Sequence, residues 1–118
     1  MKLQGIRSAG DLEKERVVLL AESDGDIGKH MLVFSTIVNN NKFSSRISSP
    51  FWFPDGLIKQ GDLVIVYTKS GFPSSVVNPD HSRSYFYYLG KESAQFSDAK
   101  VCAVLLDLAS WKMIDRGI

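Results

Sequence analysis

Apolar positions fall into short runs, each closed by a cluster of turn formers. Residues 17–21 read Val-Val-Leu-Leu-Ala and stop at Ser23-Asp24-Gly25-Asp26. After Gly28, residues 31–38 are rich in β-branched and aromatic types and end at Asn39, Asn40 and Asn41, which tolerate positive φ and favour a tight turn. Residues 42–48 alternate Phe43, Ser45 and Ile47 with polar neighbours, the pattern of a half-buried or edge strand. Residues 63–68 are apolar on both faces between Gly61-Asp62 and Ser70-Gly71, which predicts a central strand. Residues 72–83, with Pro73, Pro79 and an Asn78-Pro79-Asp80 turn signal, predict a long loop. An aromatic strand follows over 85–89, and apolar runs at 100–108 and 111–114 close the chain.

Two segments fit either element. Leu12, Arg16 and Leu19 share a helical face within 11–22, as do Val101, Leu105 and Leu108 within 100–108. Their shortness and their neighbours favour strand in both. Residues 1–15 read as an irregular or helical lead-in. The pattern predicts an all-β sandwich of about seven to nine short strands. With 118 residues, no repeat of fixed period and no linker, this is one domain over residues 1–118.

Composition narrows the function classes. Fourteen basic against thirteen acidic side chains leave a charge of +1, which argues against a basic nucleic-acid module or a polybasic membrane anchor. An apolar fraction of 44% is too high for a disordered chain. No apolar run approaches the ~18 residues of a membrane-spanning helix. The start, Met1-Lys2-Leu3-Gln4-Gly5, lacks the apolar stretch of an export signal, so a soluble, cytoplasmic protein is expected, with a virion setting compatible with its size. The single cysteine, Cys102, rules out an internal disulfide and a multi-cysteine zinc site, and its apolar surroundings predict a buried, inert thiol.

The stretch Phe51-Trp52-Phe53-Pro54-Asp55-Gly56-Leu57-Ile58-Lys59-Gln60-Gly61-Asp62, running into the 63–68 strand, resembles the lamin-tail domain. That family joins an aromatic-Pro corner, a Leu and a Gly to an apolar strand. The resemblance implies an immunoglobulin-like sandwich, a binding role and no catalytic residues. It places the family's first strand on 16–22, its second near 28–32 and its closing strand on 101–107, with 111–114 paired to the latter. The second-strand Trp and the Gly between the last two strands are missing, and 39–49 reads as an insertion. Independently of the family, Pro54 fixes φ, Gly56 or Gly61 supplies a turn, and Leu57 is expected to anchor the corner in the core.

Candidate chemistry is sparse. Asp24-Gly25-Asp26 resembles the start of a calcium loop but lacks the bidentate Glu at the twelfth position, so a hairpin turn explains it. A small metal-dependent hydrolase would draw on Asp24, Asp26, Asp80 and His81. No nucleophile elbow, phosphate loop or dinucleotide fingerprint occurs, and no cofactor is expected. The reading that fits best is a non-enzymatic protein-binding or assembly module. If Phe86 and Tyr88 face the core, Tyr85 and Tyr87 point outward as interface anchors, joined by Lys69, His81 and Arg83 from the 72–83 loop and its flanks. The partner is then a protein or a second copy, with a homo-oligomeric structural protomer as an alternative; nucleic acid and membrane are disfavoured. The 42–48 edge is open to strand pairing, or Lys42 and Arg46 discourage it. Trp52 and Trp111 are expected in the core or at a corner.

Overall fold

The computed structural model describes residues 1–117. Eleven strands run along these residues: β1 (Lys2–Arg7), β2 (Arg16–Leu20), β3 (Gly25–Asp26), β4 (His30–Asn39), β5 (Lys42–Phe43), β6 (Ser48–Trp52), β7 (Leu57–Ile58), β8 (Leu63–Tyr67), β9 (Ser74–Val77), β10 (Arg83–Tyr88) and β11 (Val101–Asp107). The only helical element among them is a single 3₁₀ turn, Ile27–Lys29. The strands form a five-stranded sheet, β1-β2-β8-β10-β9, and a four-stranded one. In the latter β4 is flanked by β11 on one side and by β5 and β6 on the other. A two-stranded ribbon, β3-β7, completes the set.

Alternation within the strands builds the core. Val17 and Leu19 of β2 register with Val66 and Val64 of β8, and all four are fully buried. Leu32 and Phe34 of β4 meet them from the opposite sheet, with Phe53, Ile27, Ile58 and Phe96 in the same cluster. Each side chain so buried contributes about 1.5–3 kcal/mol relative to exposure. The two sheets therefore face each other across one hydrophobic layer, a β-sandwich.

Glu15 fastens three loops to this frame and is wholly buried. Its Oε1 accepts from the N–H of Gly10 (3.0 Å) and Phe96 (3.2 Å). Its Oε2 accepts from Thr68 Oγ1 and the Gln95 N–H, both at 2.6 Å. Burial alone would raise the carboxyl's pKa, but these hydrogen bonds, Thr68 first, hold it below the usual carboxylate value.

The structure agrees with strands over 17–21, 31–38, 63–68, 85–89 and 100–108, and it resolves both ambiguous segments as strand. It corrects several details. Residues 2–7 are a strand rather than an irregular or helical lead-in, because Leu3 and Ile6 pack on the core while Lys2 and Arg7 face out. The supposed strand 42–48 is broken: the Ser44 N–H still donates to the Thr36 carbonyl (2.9 Å), but residues 45–47 leave the ladder, and Ser35 Oγ donates to the carbonyls of Ser44 (2.6 Å) and Arg46 (3.1 Å) along this excursion. The 72–83 loop contains β9, which lies outside β10 and leaves β10 parallel to β8. Gly61 does make the turn, at φ 91°, but Leu57 is 84% exposed, and Ile58 fills the corner instead. No strand forms over 111–114.

Candidate functional site

The alternation of β10 runs opposite to the sequence expectation. Parallel pairing sets Tyr85 beside Val64 and Tyr87 beside Val66, so both tyrosines share the inward face. Tyr87 lies 5.6 Å from Phe51 and 5.4 Å from Phe53, centroid to centroid. Burial, and then the neighbouring Tyr85 phenol, push its pKa up. Tyr85 and Tyr87 are thus packed against the core and are not outward anchors. The signal that sets the register lies in β8, whose apolar residues on both faces give no direction.

Phe86 and Tyr88 point outward instead. Tyr67 stacks on Tyr88 at 5.5 Å and 11°, and on Phe86 at 6.5 Å and 28°. The Lys69 ammonium sits 5.1 Å above the Tyr67 ring, and the Arg16 guanidinium 5.8 Å from it. Lys69 therefore lies with Tyr67, Phe86 and Tyr88 and not with Tyr85 and Tyr87. Arg83 and His81 stand apart from it. The Arg83 N–H donates to Asp62 Oδ1, and His81 takes a left-handed conformation, φ 69°, in the turn between β9 and β10. That turn is held by the Ser82 hydroxyl (2.6 Å) and N–H (3.0 Å), both donating to Asp80. The same two bonds keep the Asp80 carboxyl below its ordinary pKa.

The residues named for a hydrolase occupy two separate turn systems. Asp24 accepts from the Gln60 N–H (2.8 Å). Asp26 accepts from the N–H groups of Gly56 and Gly28, which lower its pKa in that order. Among the described residues no three His, Cys, Asp or Glu side chains converge as metal ligands. A cleft of about 300 Å³ does lie beside Asp24 and Asp26, walled also by Met1, His30, Ile58 and Asp107. His30 Nδ1 lies 2.6 Å from Asp107 Oδ1 without the geometry of a hydrogen bond.

The exposed apolar surface lies elsewhere. Among the described residues, eight of the twelve well-exposed large apolar side chains belong to β4, β5, β6, the 45–47 excursion or the C-terminal segment. They are Ile37, Val38, Phe43, Ile47, Trp52, Trp111, Met113 and Ile114; the first five lie on or between the strands of the four-stranded sheet, and Trp111 reaches it through Trp52. Trp52 donates from Nε1 to the Gly28 carbonyl (2.7 Å) and meets Trp111 edge-on at 4.8 Å. Both tryptophans are about half exposed, which corrects the core half of the expectation that they sit in the core or at a corner. Ile37 and Phe43 line a groove of about 320 Å³ with Cys102 and Val104. On the other side of β11, a cleft of about 340 Å³ runs toward β1, walled by Leu3, Ile6, Ile37, Val101 and Ala103. Cys102 is half-buried rather than enclosed. This surface escaped the sequence reading because it is made by a broken strand and a coil segment, which carry no periodic pattern.

No family model matches the chain, and no curated protein or solved structure does either. No helix among the described residues is long and apolar enough to cross a membrane.

Proposed function

We propose that this protein is a non-enzymatic binding or assembly module whose contact surface is the outer side of the four-stranded sheet. The observation that carries the reading is the concentration of exposed apolar side chains there. Contiguous apolar exposure of this kind marks interaction surfaces on folded domains. The paired Trp52 and Trp111 supply the aromatic anchors that such surfaces favour. The lamin-tail-like, immunoglobulin-like arrangement implied by residues 51–68 agrees with such a role. The recognition site assigned from sequence to the 72–83 loop and Tyr85 gives way here to Ile37, Phe43, Trp52 and Trp111.

Cross-linking mass spectrometry of the protein in extract of its source cells tests this. Cross-links, to any protein including itself, are expected to cluster on residues 37–52 and 100–114. The double variant Ile37→Ser, Phe43→Ser is expected to lose them while keeping the wild-type circular dichroism. Cross-links concentrated around Tyr88 and Lys69, or unaffected by the double variant, would overturn the assignment.

A further inference from the structure

A sheet edge is a row of unpaired backbone donors and acceptors, and most edges are blocked against pairing. Three edges of this sandwich are blocked. The β1 edge carries Lys2, Arg7 and a register break between Leu3 and Gly5. The β9 edge is four residues long, between Pro73 and Pro79. On the β5–β6 side the first strand has two residues, and the second contains Pro50 beside Ser49 at φ 52°. The fourth edge, β11, has seven residues in unbroken register with β4. Between Val101 and Leu106 it holds neither a charge nor a proline.

The direction of its free groups follows from the ladder. The Ile37 N–H donates to the Lys100 carbonyl (2.7 Å), and the Leu108 N–H to the Lys29 carbonyl (2.8 Å). Even-numbered residues of β11 therefore bond to β4, and odd-numbered ones turn their backbone groups to the open side. The Val101 N–H is already spent on the Asp98 carbonyl (3.0 Å). Among the described residues, the N–H groups of Ala103, Leu105 and Asp107 and the carbonyls of Val101, Ala103 and Leu105 are left open.

We propose that this edge pairs antiparallel with β11 of a second copy of the chain, about a two-fold axis at Val104. The inference rests on the reading of this side as a binding surface and names its partner. In that register Ala103 opposes Leu105 of the second copy, and Val101 opposes Asp107. Each open N–H then meets an open carbonyl: Ala103 to Leu105, Leu105 to Ala103, Asp107 to Val101, and the same in reverse. The seven residues overlap fully only when centred on Val104. Side-chain parity is kept as well: Val101, Ala103 and Leu105, which face the core, align with their counterparts, and Cys102, Val104 and Leu106 form a common outer row. Lys100 and Asp107 lie at opposite ends of the strand, so antiparallel pairing keeps like charges apart, whereas parallel in-register pairing sets like against like. A stable interface takes about 800 Å² per partner, one-tenth of the 8005 Å² this chain exposes.

Sedimentation analysis and one cross-link decide the matter. The wild-type chain is expected to sediment as a dimer at micromolar concentration. Opposed non-hydrogen-bonded residues have Cα atoms about 4.5 Å apart. Cys102→Ser with Val104→Cys should therefore oxidise to a disulfide-linked dimer, whereas Cys102→Ser with Leu105→Cys should not. Val104→Lys, which sets two ammonium groups face to face, should weaken the dimer at least tenfold. A wild-type monomer at several hundred micromolar overturns the proposal. So does a dimer that neither cross-links at position 104 nor responds to Val104→Lys, since its contact is then elsewhere. Should Val104→Lys prevent folding, the cysteine pair decides alone. In each case partner cross-links in extract that still map to residues 37–52 and 100–114 leave the broader binding reading standing; their loss removes that reading too.

Discussion

The outer faces of the two sheets are built from similar apolar content and end up very differently exposed. On the five-stranded sheet, Val18, Leu20, Leu63, Ile65 and Phe86 line one face with Tyr67 and Tyr88, and none of them is well exposed. Strands β2, β8 and β10 each have neighbours on both sides, so cross-strand packing and stacked rings cover what the core does not. On the four-stranded sheet, β4 outruns its short and interrupted neighbours β5 and β6, and Ile37, Val38 and Phe43 are left without such cover. Neighbour continuity, more than hydrophobicity, decides which apolar face remains available for a partner.

The largest perturbation strikes the tie between the two regions. Glu15 joins Thr68, at the end of β8, to residues 95 and 96 on the way to β11. Glu15→Ala leaves four donors without their acceptor and is expected to cost about 4 kcal/mol in urea unfolding. The carboxyl has its pKa lowered on folding, so its contribution is full above the unfolded value near 4.5 and is lost as pH falls through the folded one. Acid titration of stability should show that loss, and Glu15→Gln should flatten it; an unchanged profile would deny the carboxylate its role.

A smaller contrast separates the two faces of β10. Tyr87→Ala removes a ring from the core and should cost about 3 kcal/mol. Tyr88→Ala removes one stacked, half-covered ring and should cost about 1 kcal/mol. Equal losses in paired thermal melts would contradict the inward and outward assignment. Smallest of all, Ile37→Ser with Phe43→Ser should shift stability by only about 0.5 kcal/mol, because surface substitutions seldom do more. A large drop in the same melts would mean that these side chains are holding the fold together rather than waiting for a partner.

The sequence made the strand content legible because β-branched runs and turn clusters act locally. Val17 and Leu19, or Val64 and Val66, announce a strand wherever they sit. What they do not announce is which face is which. Tyr85 and Tyr87 alternate with Phe86 and Tyr88 in a wholly aromatic run, and only pairing with β8 orients them. Glu15 likewise looked like an ordinary acidic residue in a helix-prone first turn, since three of its four donors lie 53 to 81 positions further on. Leu57 and Ile58 were indistinguishable by hydropathy, and a one-residue offset at the corner exchanged their places. The exposed surface depends on an interruption after Ser44 that is bonded to Ser35, nine positions upstream, and that no local pattern marks.

Asp62 has a consequence for how the chain finds this arrangement. Its two carboxylate oxygens accept from the Lys59 and Arg83 N–H groups, both at 2.9 Å, and its carbonyl accepts from Ala21. It thereby pins the start of β10 against the start of β8, which no short hairpin does for a parallel pair. Pairs of that kind form late, because the intervening chain must close before contact rewards it. A buried aspartate at the meeting point adds a side-chain tie where that closure must occur, so the junction of the two strands does not rest on ladder bonds alone.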